Sequence, residues 1–528
     1  MTSVRFGSLW LGVSIVAITL VGACIRFAFI DRDYTHPDEA IAQLVVPHLL
    51  KTGDLDTNWV HSQWHQSFDY DADPGKAGQF TNDSQYNFSS YYLALGLAEA
   101  VRVMTPLRAM VPNGGESVVG YRAYSALFGS LVLVGTILAA RRALGPRLAI
   151  CVGAWTAIDP LLIQDSHYGR PESFLTLLAV VILCLCESRR LSPWARGSLA
   201  GFLFGLAVAC KVSFALWLWL PFMAGFAGLD EWRCSGWGNR ISRLGLIAAN
   251  MILGFLVGVP RVLFDFRGYL SGLADLHYVY THRMGPYSHL SGGRVYDYMG
   301  QYLTETMGWG LLLLFVLGLL QALGRSQWRV LFLYFAPVVS ALVLSGSQEV
   351  FFDRNISHTI PFLLIGAGFG LAAIVEALTG AWLRVGTLAA IAVLAALVPA
   401  TTTSMLVFEG FSGRYQSRMV ASESRLADAL NRRLVSAIVV VRIDPSLIRN
   451  LARHLKDGPF LILWCDVNEE FTRASLEKIA ATFRLSEVAK FPGLFHGYQS
   501  PSSLRSYVAP SQRMVLIYGL RENSGNHS

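Results

Sequence analysis

Charged side chains are scarce in this sequence. Only 15% of the 528 residues are Asp, Glu, Lys or Arg, whereas 53% are hydrophobic, and the mean hydropathy is +0.43. Soluble domains carry about 25% charged residues, so the composition excludes an ordinary soluble protein. Apolar runs of roughly 18–22 residues recur along the chain, and each is long enough to cross a bilayer core. The sequence therefore predicts a multi-pass, mainly α-helical membrane protein.

Several other signals are missing. Most of the seven cysteines lie within apolar runs, which excludes a disulfide framework; these are Cys24, Cys151, Cys184, Cys186 and Cys210. We find no internal repeat, no Gly-rich phosphate loop in the C-terminal region and no nucleophile motif centred on Ser or Thr. Much of the Lys and Arg excess behind the net charge of +7 lies between apolar runs. It therefore indicates membrane topology rather than nucleic-acid binding.

Positive charge sets the direction of the predicted spans. Short basic segments join pairs of apolar runs and should stay cytoplasmic; they are 141–147, 187–198, 231–243, 324–329 and Arg384. The N-terminus is then inside, and residues 31–118, 164–171, 265–305, 346–359 and everything after 408 lie outside. About eleven spans result, near 8–30, 119–140, 147–164, 171–187, 195–210, 212–229, 244–264, 306–323, 328–345, 360–379 and 385–407.

The same charge rule decides two less regular segments. Residues 195–229 are too long for one span and have basic loops at both ends, so the chain must cross twice and turn at Lys211 on the outer side. If residues 87–104 crossed the membrane, every later loop would lie on the opposite side of it. We predict an interfacial helix on the outer surface there, with a true span as the alternative.

The C-terminal region, 409–528, changes character after the transmembrane domain, 1–408. Residues 435–443, 460–465 and 513–520 predict strands, and 444–458 and 468–484 predict helices. Alternating strands and helices indicate a small α/β domain on the outer side.

Acidic residues follow the first span directly. Residues 31–40 read DRDYTHPDEA, and Pro37, Asp38 and Glu39 suit the first turn of a helix that ends near Gly53. This local structure does not exclude a function. A carboxylate at the membrane face, in a loop with several further Asp residues, invites a positive partner such as a metal ion or a proton. His61 and His65 in the same loop are better explained as surface histidines than as metal ligands.

Four further outer segments carry ionisable side chains. A short loop between two spans holds four of them, Asp165, His167, Arg170 and Glu172, for which helix capping with a salt bridge is the alternative account. Lys211 stands alone between two apolar halves and needs a partner unless it snorkels to the surface. Arg354 and His358 precede a span, where they could be interfacial anchors. The long outer loop 265–298 is rich in Tyr, His, Arg and Gly, and we predict a binding loop there.

Together these segments predict a cleft on the outer face, with carboxylates from two loops and cations from two others. Such a cleft suits the transfer of a group from a phosphate held in the membrane. The cations would stabilise the departing phosphate, and a carboxylate would take the proton of the acceptor.

Several motifs resemble those of the GT-C superfamily of integral-membrane glycosyltransferases, over about residues 8–408. The closest groups are the bacterial protein O-mannosyltransferase-like and lipid A aminoarabinose transferase-like enzymes. The motifs are HPDEA (36–40), YNFSSYYLALGLAEAV (86–101), YRAYSALFGSLVLVGTILAARRALG (121–145), SHYGRPESFLTLL (166–178), GLAVACKVS (205–213) and FFDRNISHTIPFL (351–363). Two positions depart from the usual pattern: Glu172 replaces Asp, and Asn355 stands where Tyr is usual.

The resemblance implies a GT-C-like helix bundle that inverts the configuration of a sugar taken from a polyprenyl-phosphate carrier. Asp38 would be the base or orient the acceptor, with support from Glu39. Lys211, Arg354 and Arg170 would bind the donor phosphate, and Glu172, His167 and Asp165 would contact substrate. Some relatives use a divalent metal such as Mg²⁺ or Mn²⁺, with Asp38 and Glu172 as candidate ligands, and some do not.

The resemblance also implies a bacterial inner membrane with the site facing the periplasm or exterior. The acceptor, a glycan, lipid or protein, is left open. The main alternative is a secondary transporter that uses the outer charges as substrate or proton sites. Against it, the charges gather on one face and no inverted repeat is evident.

Overall fold

The computed structural model describes residues 2–31, 37–58, 86–105, 118–226, 236–281, 293–348, 353–378, 438–441, 460–466, 483–492 and 513–522. The chain divides into two compact units, Met1–Asp31 with His36–Ser404, and Arg32–Thr35 with Met405–Ser528. Residues around position 408 lie outside the described ranges, so the predicted domain boundary there stays a prediction. The same applies to His61, His65 and the predicted span 385–407.

The first unit is helical throughout its described part, as predicted. Its α-helices are α1 Thr2–Phe27, α2 Pro37–Thr52, α3 Ser89–Met104, α4 Val118–Leu144, α5 Pro146–Ile158, α6 Pro160–His167, α7 Glu172–Cys186, α8 Pro193–Cys210, α9 Trp219–Phe226, α10 Trp237–Gly258, α11 Phe266–Thr281, α12 Gly293–Gly324, α13 Trp328–Gly346 (with a π-helical segment at Leu331–Phe335) and α14 Ile360–Leu378. Short 3₁₀ helices occupy Val212–Trp217, Pro260–Leu263 and Asp353–Thr359.

Six helices of the described part are long and apolar enough to cross a membrane, or seven if the bent pair α5 and α6 counts as one span. Three shorter apolar helices, Gly12–Phe27, Glu172–Cys186 and Val212–Phe226, coincide with other predicted spans. The predicted total of eleven is not confirmed. Helix α3 has only 16 residues, and whether it crosses the membrane or lies on it stays open.

A bend between α5 and α6 shapes the site region. The two helices meet at 51° because Pro160 cannot continue the hydrogen-bond ladder of α5. Asp159 then caps the new helix, since its carboxylate accepts a hydrogen bond from the backbone N–H of Leu162 at 2.9 Å. This break directs the end of α6, with Asp165 and His167, toward the start of α7.

Small residues let α8 pack closely against α10. Gly197, Gly201 and Gly205 recur every four residues along α8, and a Cβ atom at Gly205 would overlap the backbone of α10 around Gly254. Such spacing brings helix backbones together in membranes. The contact fixes α8, whose last turn leads directly into Lys211.

The segment predicted as the long outer loop 265–298 is instead helical over much of its described length. Asp265 begins α11, and its carboxylate accepts a hydrogen bond from the N–H of Gly268 at 3.0 Å. The same Asp265 accepts a hydrogen bond from the hydroxyl of Tyr86 at 2.7 Å. Capping and this contact favour a helix over the loop that its Gly and aromatic content suggested.

The second unit contains a four-stranded sheet in its described part. Strands β1 Ile438–Val441, β2 Phe460–Asp466, β3 Phe483–Pro492 and β4 Arg513–Glu522 are arranged in the order β1-β2-β4-β3. β1 and β2 are parallel, and β4 is antiparallel to both β2 and β3. The three predicted strands coincide with β1, β2 and β4, the predicted helices fall largely outside the described residues, and the predicted small α/β domain is not confirmed. Strand β3 was not predicted, because a register shift between Glu487 and Ala489 breaks the alternation of its apolar residues.

Candidate active site

The start of α2 is held by a buried ion pair. Glu39 is 2% exposed, and Arg122 of α4 donates to both of its carboxylate oxygens, from Nε at 2.8 Å and from Nη2 at 2.9 Å. The backbone N–H of Gly169 donates to the same carboxylate at 2.7 Å. The bidentate ion pair with Arg122 has a fixed geometry and joins α2 to α4, and the contact with Gly169 joins α2 to the turn before α7. Asp38 lies in the first turn of α2, and its side chain is outside the described residues.

The turn between α6 and α7 brings together three of the predicted residues. Asp165, Arg170 and Glu172 are all buried. The guanidinium of Arg170 forms an ion pair with Asp165 and lies 3.4 Å from Oε2 of Glu172. It also lies over the ring of Tyr168, 4.8 Å from its centroid. The short loop is therefore a compact charged core rather than a solvated connector.

His167 is held by backbone groups. Its Nδ1 atom lies 2.8 Å from the carbonyl oxygen of Ile163, and its Nε2 atom lies 2.9 Å from that of Ala28. The ring thus joins the end of α6 to the chain that follows α1. This geometry favours a structural role, and its predicted contact with substrate stays a prediction.

Lys211 and Arg354 reach the same region from two other segments. Lys211 has an extended backbone between α8 and the next 3₁₀ helix, and its Nζ atom donates to Oδ1 of Asn355 at 2.7 Å. Arg354, the neighbour of Asn355, places its Nε atom 3.8 Å from Oε1 of Glu172. Glu172 therefore lies between the guanidinium groups of Arg170 and Arg354. The predicted convergence of carboxylates and cations from separate segments is present among these residues.

Burial and neighbouring charges set the electrostatics of this cluster. Burial lowers the pKa of Lys211 below its ordinary value, although the carboxylate of Glu172 partly opposes the shift. Neither buried oxygen of Glu172 accepts a hydrogen bond from the residues that the structure describes. Buried carboxylates are nearly always hydrogen-bonded, so a ligand or water is expected to supply donors to Glu172.

A cavity of about 520 Å³ opens beside Lys211. Its lining includes the polar residues Lys211, Asn355 and His358 and the apolar residues Leu216, Trp217, Leu273, Leu276, Ala341 and Leu344. A cation in a largely apolar lining suits an amphiphile with an anionic head.

The described side chains do not fit a divalent metal. They contain no group of three or more His, Cys, Asp or Glu residues arranged to hold one. Glu172, a predicted ligand, is flanked by Arg170 and Arg354, whose positive charges would repel a second cation. Asp38, the other predicted ligand, contributes no described side chain.

Sequence reasoning missed several residues of the site. In the sequence, Arg122 is only one charge near the start of an apolar run, and no pattern marks it as a site residue. Asn355 was noted for departing from a motif, and its contact with Lys211 has no local signature. Tyr280 of α11 lies 3.5 Å from Nδ2 of Asn355 through its hydroxyl, within a segment that was predicted as a loop.

No family model matches the sequence, and no curated protein matches it. Among solved structures, the chain is similar to ArnT from Cupriavidus metallidurans bound to undecaprenyl phosphate, with 14% identity, a TM-score of 0.49 and coverage of 96% of this chain and 97% of that one. It is also similar to the Archaeoglobus fulgidus oligosaccharyltransferase tethered with an acceptor peptide, with 12% identity, a TM-score of 0.45 and coverage of 85% and 59%.

A second structure of that oligosaccharyltransferase, in complex with Zn and sulfate, gives 11% identity, a TM-score of 0.44 and coverage of 84% and 62%. The chain thus spans less than two thirds of the oligosaccharyltransferase. ArnT is a lipid A aminoarabinose transferase, and both enzymes are GT-C glycosyltransferases, the class that the sequence motifs resemble. At these TM-scores the likeness assigns no residue a role.

Proposed function

We propose that this protein is a membrane glycosyltransferase that moves a sugar from a polyprenyl-phosphate carrier to an acceptor on the extracytoplasmic face. The observation that carries the proposal is the presence of Lys211 in the lining of a largely apolar cavity of about 520 Å³. The apolar lining suits an isoprenoid chain, and the ammonium group suits its phosphate.

The charged cluster beside the cavity suits a leaving phosphate. Negative charge develops on the phosphate as the bond to the anomeric carbon breaks, and fixed cations in a water-poor site stabilise that charge. Lys211 and Arg354 supply the cations. Glu172 balances the charges of Arg354 and Arg170 and offers its oxygens to the hydroxyl or amino groups of the substrate.

The reaction is one displacement at the anomeric carbon. An acceptor hydroxyl forms the new bond from the face opposite the phosphate, and polyprenyl phosphate leaves with the electron pair of the broken bond. Asp38 takes the proton of the hydroxyl, and the configuration inverts. Glu39 acts as a positioning residue, because its pairing with Arg122 fixes the turn that carries Asp38.

The proposal is tested with the purified full-length protein in lipid nanodiscs. The expected result is consumption of a polyprenyl-phosphate sugar and release of polyprenyl phosphate when envelope lipids or glycans are supplied as acceptors. Asp38→Asn should reduce turnover by about 10²–10⁴-fold while leaving donor binding intact. A transporter would leave the donor chemically unchanged. Full turnover by a folded Asp38→Asn variant would show that Asp38 is not the base.

A further inference from the structure

His358 lines the same cavity as Lys211 and Asn355, yet its Nδ1 atom makes no hydrogen bond to the residues that the structure describes. The side chain is only 4% exposed, and this nitrogen is buried. An apolar aromatic residue would serve packing alone better than histidine does, because an unpaired buried nitrogen destabilises the fold.

The local helix places His358 beside the residue that contacts Lys211. Both Asn355 and His358 belong to the 3₁₀ helix Asp353–Thr359. With three residues per turn, side chains at positions i and i+3 lie one above the other. Asn355 and His358 therefore share a face, and both border the cavity. Arg354 lies on a different face and turns toward Glu172.

Aromatic packing fixes the orientation of the imidazole. Its ring centroid lies 4.8 Å from that of Trp217 and 6.0 Å from that of Phe214. Trp217 is itself anchored, because its indole N–H donates to the carbonyl oxygen of Pro337 and the hydroxyl of Ser340, each at 3.1 Å. The ring is thus held in place before any ligand arrives, which lowers the entropy cost of using it.

We propose that His358 is a donor-binding residue, whose ring N–H donates a hydrogen bond to the phosphate of the lipid-linked sugar next to the ammonium of Lys211. This inference rests on the proposed function. It adds a directional donor to a site whose cation alone would attract a phosphate without orienting it. A hydrogen bond to a charged phosphate oxygen is stronger than a hydrogen bond to a neutral acceptor.

The test measures binding of undecaprenyl phosphate and of undecaprenol to the full-length protein in nanodiscs. The variants are His358→Phe, which keeps the ring stacking, and His358→Gln, whose amide N–H can replace a ring N–H as donor. His48→Phe, on an exposed position of α2, is the matched control. We expect His358→Phe to weaken binding of undecaprenyl phosphate about tenfold or more, with His358→Gln binding more tightly than His358→Phe and His48→Phe equal to the parent protein.

The outcomes separate this inference from the proposed function. If the parent protein binds undecaprenol as tightly as undecaprenyl phosphate, the proposed function fails. If the parent protein selects the phosphate, and His358→Phe retains that selectivity in full, the role of His358 is overturned and its ring serves packing. Should His358→Phe aggregate, His358→Gln is compared with His358→Met, and equal affinities for undecaprenyl phosphate overturn the role in the same way.

Discussion

The ammonium group of Lys211 donates a hydrogen bond of 2.7 Å to the side chain of Asn355, although the two residues are 144 positions apart in the chain. The contact joins the end of α8 to the 3₁₀ helix before α14. It places a cation beside the apolar cavity and gives that cation a neutral partner. A neutral acceptor holds the amine in position without cancelling its charge, which leaves the charge for an anionic ligand.

This relationship predicts that Asn355→Asp weakens phosphate binding more than Asn355→Ala does. The carboxylate would form an ion pair with Lys211 and compete with the phosphate, whereas Ala removes only the orienting acceptor. We expect a loss of affinity for undecaprenyl phosphate of about tenfold with Ala and a larger loss with Asp. Titration in nanodiscs measures both, and an Asp variant that binds as tightly as the parent would show that Lys211 does not contact the phosphate.

The position of Glu172 between two guanidinium groups predicts a strong effect on stability. Glu172→Gln removes the carboxylate that lies between Arg170 and Arg354, and although Arg170 keeps its ion pair with Asp165, we expect the free energy of unfolding to fall by about 3–5 kcal/mol. Arg354→Gln in the same chain should recover part of that loss, with a coupling energy of about 0.5–3 kcal/mol. Thermal unfolding of the two single variants and the double variant measures this, and strictly additive losses would mean that the pair does not interact.

Donor affinity should fall in alkaline solution because of Lys211. Burial lowers the pKa of this amine, so its charged form destabilises the folded protein without ligand. That destabilisation is complete below the lowered pKa and disappears as the pH rises from the lowered pKa to the ordinary one. A phosphate binds the charged form. Affinity for undecaprenyl phosphate is therefore expected to decline before the ordinary lysine pKa of about 10.4 is reached.

The control for this pH effect is Lys211→Arg, because a guanidinium stays charged over the whole range. Its affinity for undecaprenyl phosphate should stay nearly constant where that of the parent protein declines. An equal decline in both proteins would assign the pH effect to another group.

Close packing of α8 against α10 predicts contrasting effects of two identical substitutions. Gly205→Ala introduces a Cβ atom that overlaps the backbone of α10, and we expect a loss of about 1–3 kcal/mol in the free energy of unfolding. Gly245→Ala on α10 itself meets open space and should leave stability unchanged or slightly raised. Thermal unfolding in detergent distinguishes them, and equal melting temperatures would contradict the observed packing of α8.

Much of the fold follows from hydrophobic patterning that the sequence shows directly. Apolar runs gave most helices of the first unit, and short continuous apolar runs gave β1, β2 and β4. The prediction missed β3 where a register shift interrupts alternation at Glu487, and it missed α11 because its aromatic and glycine content is typical of loops. Local patterns report burial well, but they do not report contacts such as that of Asp265 with Tyr86, which lies 179 positions away.

The candidate site was predictable in its charged members and not in their partners. Lone charges next to apolar runs identified Lys211, Arg354 and Glu172, because such charges need compensation in a membrane. The pairing of Glu39 with Arg122 spans 83 positions, and no local pattern encodes a contact of that range. The same holds for Asn355, whose contact with Lys211 depends on where α8 ends.

The most direct test of the central claim is the affinity of undecaprenyl phosphate for Lys211→Met, with Lys51→Met at the exposed end of α2 as the matched control. If Lys211 holds the phosphate, its replacement should abolish the preference for undecaprenyl phosphate over undecaprenol, and the control should keep it. A folded Lys211→Met protein that still selects the phosphate as strongly as the parent would contradict the account.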